Sequence, residues 1–173
     1  DFGSQYSQLI ARRIREMEVY CEIVHSSHVM TAISKEKENI LGVILSGGPE
    51  SVYEENSPTV EKELFSLNIP ILGICYGMQL IAHLNGGTVE KAESKEFGKA
   101  SLEILEIENP LFENVKQHSQ IWMSHGDHIT KLPDGFKVIA QTNTSIAAIM
   151  NNSNIYALQF HPEVSHSIFG KEI

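Results

Sequence analysis

The sequence predicts an α/β domain: an open, mostly parallel sheet with helices on both faces, extended by additional short antiparallel strands in the C-terminal half. Three observations lead there. Apolar runs such as Gly42-Val43-Ile44-Leu45 and Ile69-Pro70-Ile71-Leu72-Gly73-Ile74 lack polar alternation, as strands covered on both faces do. Segments of helical period lie between them. After Gly87 the texture changes to shorter strand-like stretches, which either extend the sheet or form an antiparallel annex.

In order, a helix is expected over Gln5 to Met17, with Leu9, Ile10 and Ile14 at helical spacing and Arg12, Arg13 and Arg15 largely on the other side. A short strand follows at Val19 to Val24, then a helix from His28 to Lys37 and the buried strand Gly42 to Leu45, which stops at Ser46-Gly47-Gly48-Pro49. A helix from Thr59 to Leu67 leads to the strand Ile69 to Ile74. That strand runs straight into Cys75 and a helix ending near Asn85-Gly86-Gly87. Six strand-like segments remain: Thr88 to Lys91, Ser101 to Ile107, Ile121 to Ser124, Phe136 to Gln141, Ile146 to Met150 and Ile155 to Phe160. Asp1-Phe2-Gly3 reads as the loop after a strand and Phe169 to Ile173 as the start of a helix, so a fragment of a longer protein is expected.

With 173 residues, 42% apolar and 20% charged, the chain has the composition of one domain, residues 1–173, with a sizeable core. A net charge of -9 argues against neutralising a phosphate backbone or an anionic membrane, so no nucleic-acid partner is expected. No apolar run approaches the roughly 20 residues of a membrane-spanning helix. The two cysteines, Cys21 and Cys75, are too few for a disulfide framework and read as free thiols in a reducing compartment. The expectation is a soluble, cytoplasmic protein.

The chemistry concentrates at Gly73-Ile74-Cys75-Tyr76-Gly77. A nucleophile on a tight strand-to-helix turn sits in strained backbone, so small residues are needed two places before and after it. The helix starting after Cys75 points its positive end at the sulfur and favours the thiolate. A buried structural cysteine is the plain alternative. A proton donor and acceptor is supplied by His161-Pro162-Glu163 at the exit of a strand, where Glu163 can fix the tautomer and orientation of the imidazole. His25, His28, His83, His118 and His166 read as surface or core residues. Ser46-Gly47-Gly48-Pro49-Glu50 also ends a buried strand; the amides of Gly48 and Tyr76 are candidates for an oxyanion hole. A tight turn or a phosphate cradle are its rivals, the latter without the Lys of the full Walker spacing.

Taken together, Ser46-Gly47-Gly48-Pro49, Gly73-Ile74-Cys75-Tyr76-Gly77-Met78-Gln79 and Gln159-Phe160-His161-Pro162-Glu163 resemble the class I, or triad, glutamine amidotransferase domains in type, order and spacing. Within that class, Asp1 to Tyr6, Glu96-Phe97-Gly98, Trp122 to Asp127 and His161 to His166 are similar to the branch that serves GMP synthetases; members making anthranilate, carbamoyl phosphate or CTP vary these segments. The resemblance implies Cys75, His161 and Glu163 as catalytic triad, Gly48 and Tyr76 as oxyanion hole, and a glutamine site of Gly47, Gln79, Ser124 and Asp127. An anion such as Asp127 suits the α-ammonium of glutamine. His125-Gly126-Asp127-His128 taken alone suggests a metal site, but thiol-based amide hydrolysis needs none.

Further implications are L-glutamine as substrate, no cofactor or metal in this domain, and a synthetase (ATP-pyrophosphatase) domain or subunit, carrying ATP and Mg, that turns XMP into GMP. A homodimer formed through the absent part is a further expectation. Docking of the synthetase is expected to complete a weakly active site, with Arg12, Arg13 and Arg15 either at that contact or on a solvated helix face. A cysteine peptidase of related fold and a flavodoxin-like binding module are the rival classes.

Overall fold

The computed structural model describes residues 1–36 and 39–173. Its helices are α1 (Ser7–Glu16), α2 (Val29–Glu36) and α3 (Tyr76–Leu84). The strands are β1 (Val43–Leu45), β2 (Ile71–Ile74), β3 (Thr88–Ile104), β4 (Ser119–Lys131), β5 (Phe136–Gln141), β6 (Ile146–Asn151) and β7 (Ile155–Leu158). They form one seven-stranded sheet in the order β1-β2-β7-β6-β5-β3-β4.

Parallel pairing is confined to β1, β2 and β7, and the remaining neighbours run antiparallel. Within the parallel part the sequence pattern becomes two covered faces. Val43, Leu45 and Ile71 pack into the core with Ile33 of α2 and Met78 and Ile81 of α3. Ile44, Leu72 and Ile74 point the other way and pack with Ile10 of α1. Helices therefore cover both faces here, and alternation along the strand decides which helix each side chain meets.

The antiparallel part is built on long strands. β3 and β4 pair from Thr88↔Lys131 to Leu102↔Ser119, with register breaks at Thr88/Val89 and between Lys91 and Glu96. The end of β3 crosses to β5 at Glu103↔Gln141 and Ile104↔Ala140, which curls the sheet over a second core of Leu102, Ile121, Met123, Ile139 and Phe160. Along β4 the odd-numbered residues from Ser119 to Ile129 are all buried, placing His125 and Asp127 on the inward face beside Ile121 and Met123.

Several expectations change. The predicted strands at 88–91 and 101–107 are one bent strand, because the bulge before Glu96 keeps the ladder to β4 going across the gap. β4 is likewise longer than the predicted Ile121 to Ser124, whereas β7 stops at Leu158, short of the predicted Phe160. Val19 to Val24 is not a strand: Val19, Tyr20 and Ile23 are exposed, and no neighbouring strand pairs with it among the described residues. The helix expected over Thr59 to Leu67 shrinks to a 3₁₀ turn at Lys62–Ser66, whose single buried anchor is Leu64. Phe169 to Ile173 forms turns rather than a helix. The predicted end of the second helix, Lys37, lies outside the described residues.

Candidate active site

The carboxyl ends of β1, β2 and β7 lie side by side, and each delivers a motif to the same edge. Ser46-Gly47-Gly48 follows β1, Cys75 follows β2, and Gln159 to Glu163 follows β7. Loops collect at this edge in parallel sheets because the strands end there together.

Cys75 occupies φ 52°, ψ -104°, a left-handed backbone that costs a non-glycine residue energy. The surroundings enforce it. Its amide donates to the Leu158 carbonyl at 2.7 Å, continuing the β2–β7 ladder, while its carbonyl accepts from the amides of Met78 and Gln79 at the start of α3. The turn is so tight that a Cβ on Gly73 would lie 2.6 Å from Ile81 and 2.7 Å from the backbone of Gly77. A Cβ on Gly77 would run into the Leu45 carbonyl. Both glycines are therefore required by space, as the sequence pattern implied.

His161 is held from every side. Its amide donates to the Trp122 carbonyl at 3.0 Å and its carbonyl accepts from the Ser167 hydroxyl at 2.6 Å. The ring edge meets the Tyr6 ring with centroids 5.2 Å apart, and Nδ1 lies 2.7 Å from Glu163 Oε1. Both residues are about 4% exposed. Burial disfavours the imidazolium, yet hydrogen bonds to Cys75 and Glu163, with the charges of both, outweigh it and raise the His161 pKa to about 10. The ring thus holds its second proton at neutral pH. Glu163 Oε2 has no partner among the described residues, while its backbone carbonyl accepts from Arg13 Nε at 3.0 Å. Gly47 leaves the room the imidazole needs, since a Cβ there would lie 3.2 Å from His161 Cε1.

The remaining predicted residues line the same edge. Gly48 packs against Tyr76, with only 3.2 Å between a built Cβ and that ring. The Ser124 carbonyl lies 3.5 Å from Cys75 Sγ. Gln79 is buried and donates to the Asp127 carbonyl at 3.0 Å and to Gln159 Oε1 at 3.3 Å, so in this structure its amide holds the wall of the site. The Asp127 carboxylate accepts from the Ser51 hydroxyl at 2.5 Å and the Tyr53 hydroxyl at 3.0 Å. Sequence reasoning missed Ser51 and Tyr53, whose i, i+2 spacing just beyond the Gly-rich turn was the available signal. It also missed Arg13 as a ligand of the Glu163 backbone. Arg12 and Arg13 pair with Glu16, and Arg15 donates to the Cys21 carbonyl. Among the described residues no cluster of His, Cys, Asp and Glu is arranged to hold a metal ion, and His125 spends its ring on Asp127 and Glu96.

The model of the class-I glutamine amidotransferases matches residues 1–173. The chain belongs to that family. Among curated relatives, the glutamine-hydrolysing GMP synthase of Fusobacterium nucleatum is 55% identical over 172 residues, covering 98% of this chain and 33% of the relative. That of Carboxydothermus hydrogenoformans is 55% identical over 175 residues, covering 100% and 34%. The chain therefore spans about a third of the length of the curated relatives it matches. Among solved structures, a Thermoplasma acidophilum protein provisionally named as one subunit of a GMP synthase superposes with TM-score 0.87 at 32% identity, covering 99% of this chain and 86% of the other. A glutamine amidotransferase of Thermotoga maritima shares the fold, with TM-score 0.74 at 24% identity over 95% of this chain and 71% of the other. This α/β amidotransferase fold, with its curled mixed sheet and few helices, is the one described above. Among the described residues no helix is long and apolar enough to cross a membrane.

Proposed function

We propose that residues 1–173 form one glutaminase domain that hydrolyses L-glutamine to glutamate and ammonia through a Cys75 thioester, and that the ammonia passes to a synthetase unit converting XMP to GMP. The observation that carries this reading is the buried Cys75–His161–Glu163 arrangement at the carboxyl edge of the three parallel strands. Identity of 55% to GMP synthases favours that branch over anthranilate, carbamoyl phosphate or CTP synthesis.

The chemistry follows from the geometry. Nδ1 of His161 faces Glu163, which leaves Nε2 for the sulfur. With its pKa raised to about 10, the His161 ring carries the proton needed for the leaving group and stands beside the sulfur that acts as nucleophile. The thiolate attacks the side-chain amide carbon, and the amides of Gly48 and Tyr76 receive the oxyanion. Imidazolium gives its proton to the departing nitrogen, so ammonia rather than amide ion leaves. The neutral ring then takes a proton from water, whose oxygen attacks the thioester, and collapse expels the Cys75 thiolate and glutamate. Glu163 stabilises the imidazolium before and after. Asp127 pairs with the α-ammonium, with Gly47, Gln79 and Ser124 lining the pocket.

None of these steps calls on a cofactor, and ATP and Mg belong to the synthetase unit. Free thiols at Cys21 and Cys75 suit a cytoplasmic setting. The test is glutamate formation from glutamine, with and without a GMP synthetase ATP-pyrophosphatase unit. Turnover that rises with the partner and vanishes in Cys75→Ala is expected; cleavage of peptides with glutamine untouched would return the peptidase reading.

A further inference from the structure

A cluster of hydrogen bonds lies behind the glutamine site rather than in it. On β4, His125 is 5% exposed and its Nδ1 lies 2.8 Å from the Asp127 carbonyl, the same oxygen that accepts from Gln79. The other ring nitrogen lies 3.2 Å from Glu96 Oε2. Glu96 sits directly opposite His125 on β3, at the point where the ladder resumes after its register break. Its carboxylate also accepts from the hydroxyls of Thr144 at 2.5 Å, Ser145 at 2.7 Å and Thr142 at 3.3 Å, all in the loop joining β5 to β6.

We propose that Glu96 is a positioning residue for glutamine recognition, acting through His125 on the backbone of Asp127; this rests on the glutaminase reading above. Nothing in sheet formation calls for this arrangement. A carboxylate and an imidazole stand on a half-buried ladder where apolar residues would pack at lower cost, and the carboxylate gathers donors from two further segments. Burial pushes the Glu96 carboxyl up, but the hydroxyls of Thr144, Ser145 and Thr142 and the nearby His125 together outweigh it and hold the carboxyl below its usual range. Burial lowers the His125 pKa, while the Asp127 carbonyl and Glu96 work against that loss. The Asp127 carbonyl on one side of the ring and the Glu96 carboxylate on the other fix its plane, so Glu96 holds His125 in place against the backbone of Asp127.

The consequence falls on one atom group. The Asp127 carbonyl is fixed by His125 and Gln79, its carboxylate by Ser51 and Tyr53, and the carboxylate is the group assigned to the substrate's ammonium. Loosening the carbonyl end lets the carboxylate swing, which weakens recognition of glutamine without touching the sulfur or His161.

The experiment compares the chain with Glu96→Ala and Glu96→Gln in two assays. One is glutamine turnover in the presence of a GMP synthetase ATP-pyrophosphatase unit. The other is inactivation of Cys75 by 6-diazo-5-oxo-L-norleucine, which carries the α-ammonium, against iodoacetamide, which does not. For Glu96→Ala we expect KM to rise about tenfold or more with kcat within about twofold, and the ratio of the two inactivation rates to fall equally. Glu96→Gln, which keeps an acceptor for His125, should restore part of the loss and carries the test should the Ala variant not fold. An unchanged KM and ratio, or equal loss with both reagents alongside a lower melting temperature, overturns the proposal. If the unaltered chain reacts with iodoacetamide but neither hydrolyses glutamine nor reacts with the diazo analogue, the glutaminase reading itself has failed.

Discussion

Replacing Glu163 with Gln keeps the shape of the side chain facing His161 and removes its charge. The carboxylate lies 2.7 Å from Nδ1 in a pocket where both residues are buried, and it is one of the influences that lift the His161 pKa to about 10. An opposite charge at this range is worth about 1–3 pKa units. The alkaline limb of glutamine turnover should therefore lie near pH 10 in the unaltered chain and move down by about 1–3 pH units in Glu163→Gln. Turnover at neutral pH should fall about 10²–10⁴-fold, because the amide holds the tautomer less firmly and cannot balance the imidazolium. The sign on stability follows from the same shift. A pKa raised by folding stabilises fully below the unfolded value of about 6.5 and loses that contribution as pH climbs through about 10. The variant's deficit in denaturant stability should thus be full at mildly acidic pH and vanish above the folded value. The assay is initial rates of glutamate formation across the alkaline range, with iodoacetamide alkylation of Cys75 as a control that needs no acid. An alkaline limb that stays put in the variant refutes the assigned cause of the shift.

Other outcomes follow from the packing and the pocket. Gly77→Ala drives a methyl into the Leu45 carbonyl, so it should cost about 3 kcal/mol or more and lower the melting temperature sharply. Phe160→Ala empties a fully buried site next to His161; about 3–5 kcal/mol of stability should be lost by chemical denaturation, with turnover falling too. Asp127→Asn removes the charge assigned to the ammonium and one of the two oxygens that accept from Ser51 and Tyr53, so KM for glutamine should rise by about tenfold or more with little effect on iodoacetamide alkylation. Tyr53→Phe removes one bond to the same carboxylate and should give a smaller rise, about threefold to tenfold.

What was legible in the sequence had local causes. Gly73 and Gly77 announce a turn that tolerates no side chain, and the apolar runs at 42–45 and 69–74 announce buried strands, of which 43–45 and 71–74 are covered on both faces. Those features fix the parallel edge on which Cys75 and His161 meet. What escaped the sequence depends on distant partners. Val19 to Val24 has strand composition, but among the described residues no strand pairs with it, and Val19, Tyr20 and Ile23 stay exposed. The union of two predicted strands into β3 is decided by β4, whose register absorbs the residues between Lys91 and Glu96. Asp127 was assigned by resemblance, but its company of Ser51 and Tyr53 comes from a loop more than seventy positions away. Side-chain hydrogen bonds over such separations leave no periodicity to read.

The most direct test of the account is intact mass after treating the chain with 6-diazo-5-oxo-L-norleucine, with glutamine as competitor and Cys75→Ala as control. A single adduct on Cys75, suppressed by glutamine and absent from the variant, is the result the account predicts. An adduct that glutamine fails to suppress, or none even with the synthetase unit present, would contradict it.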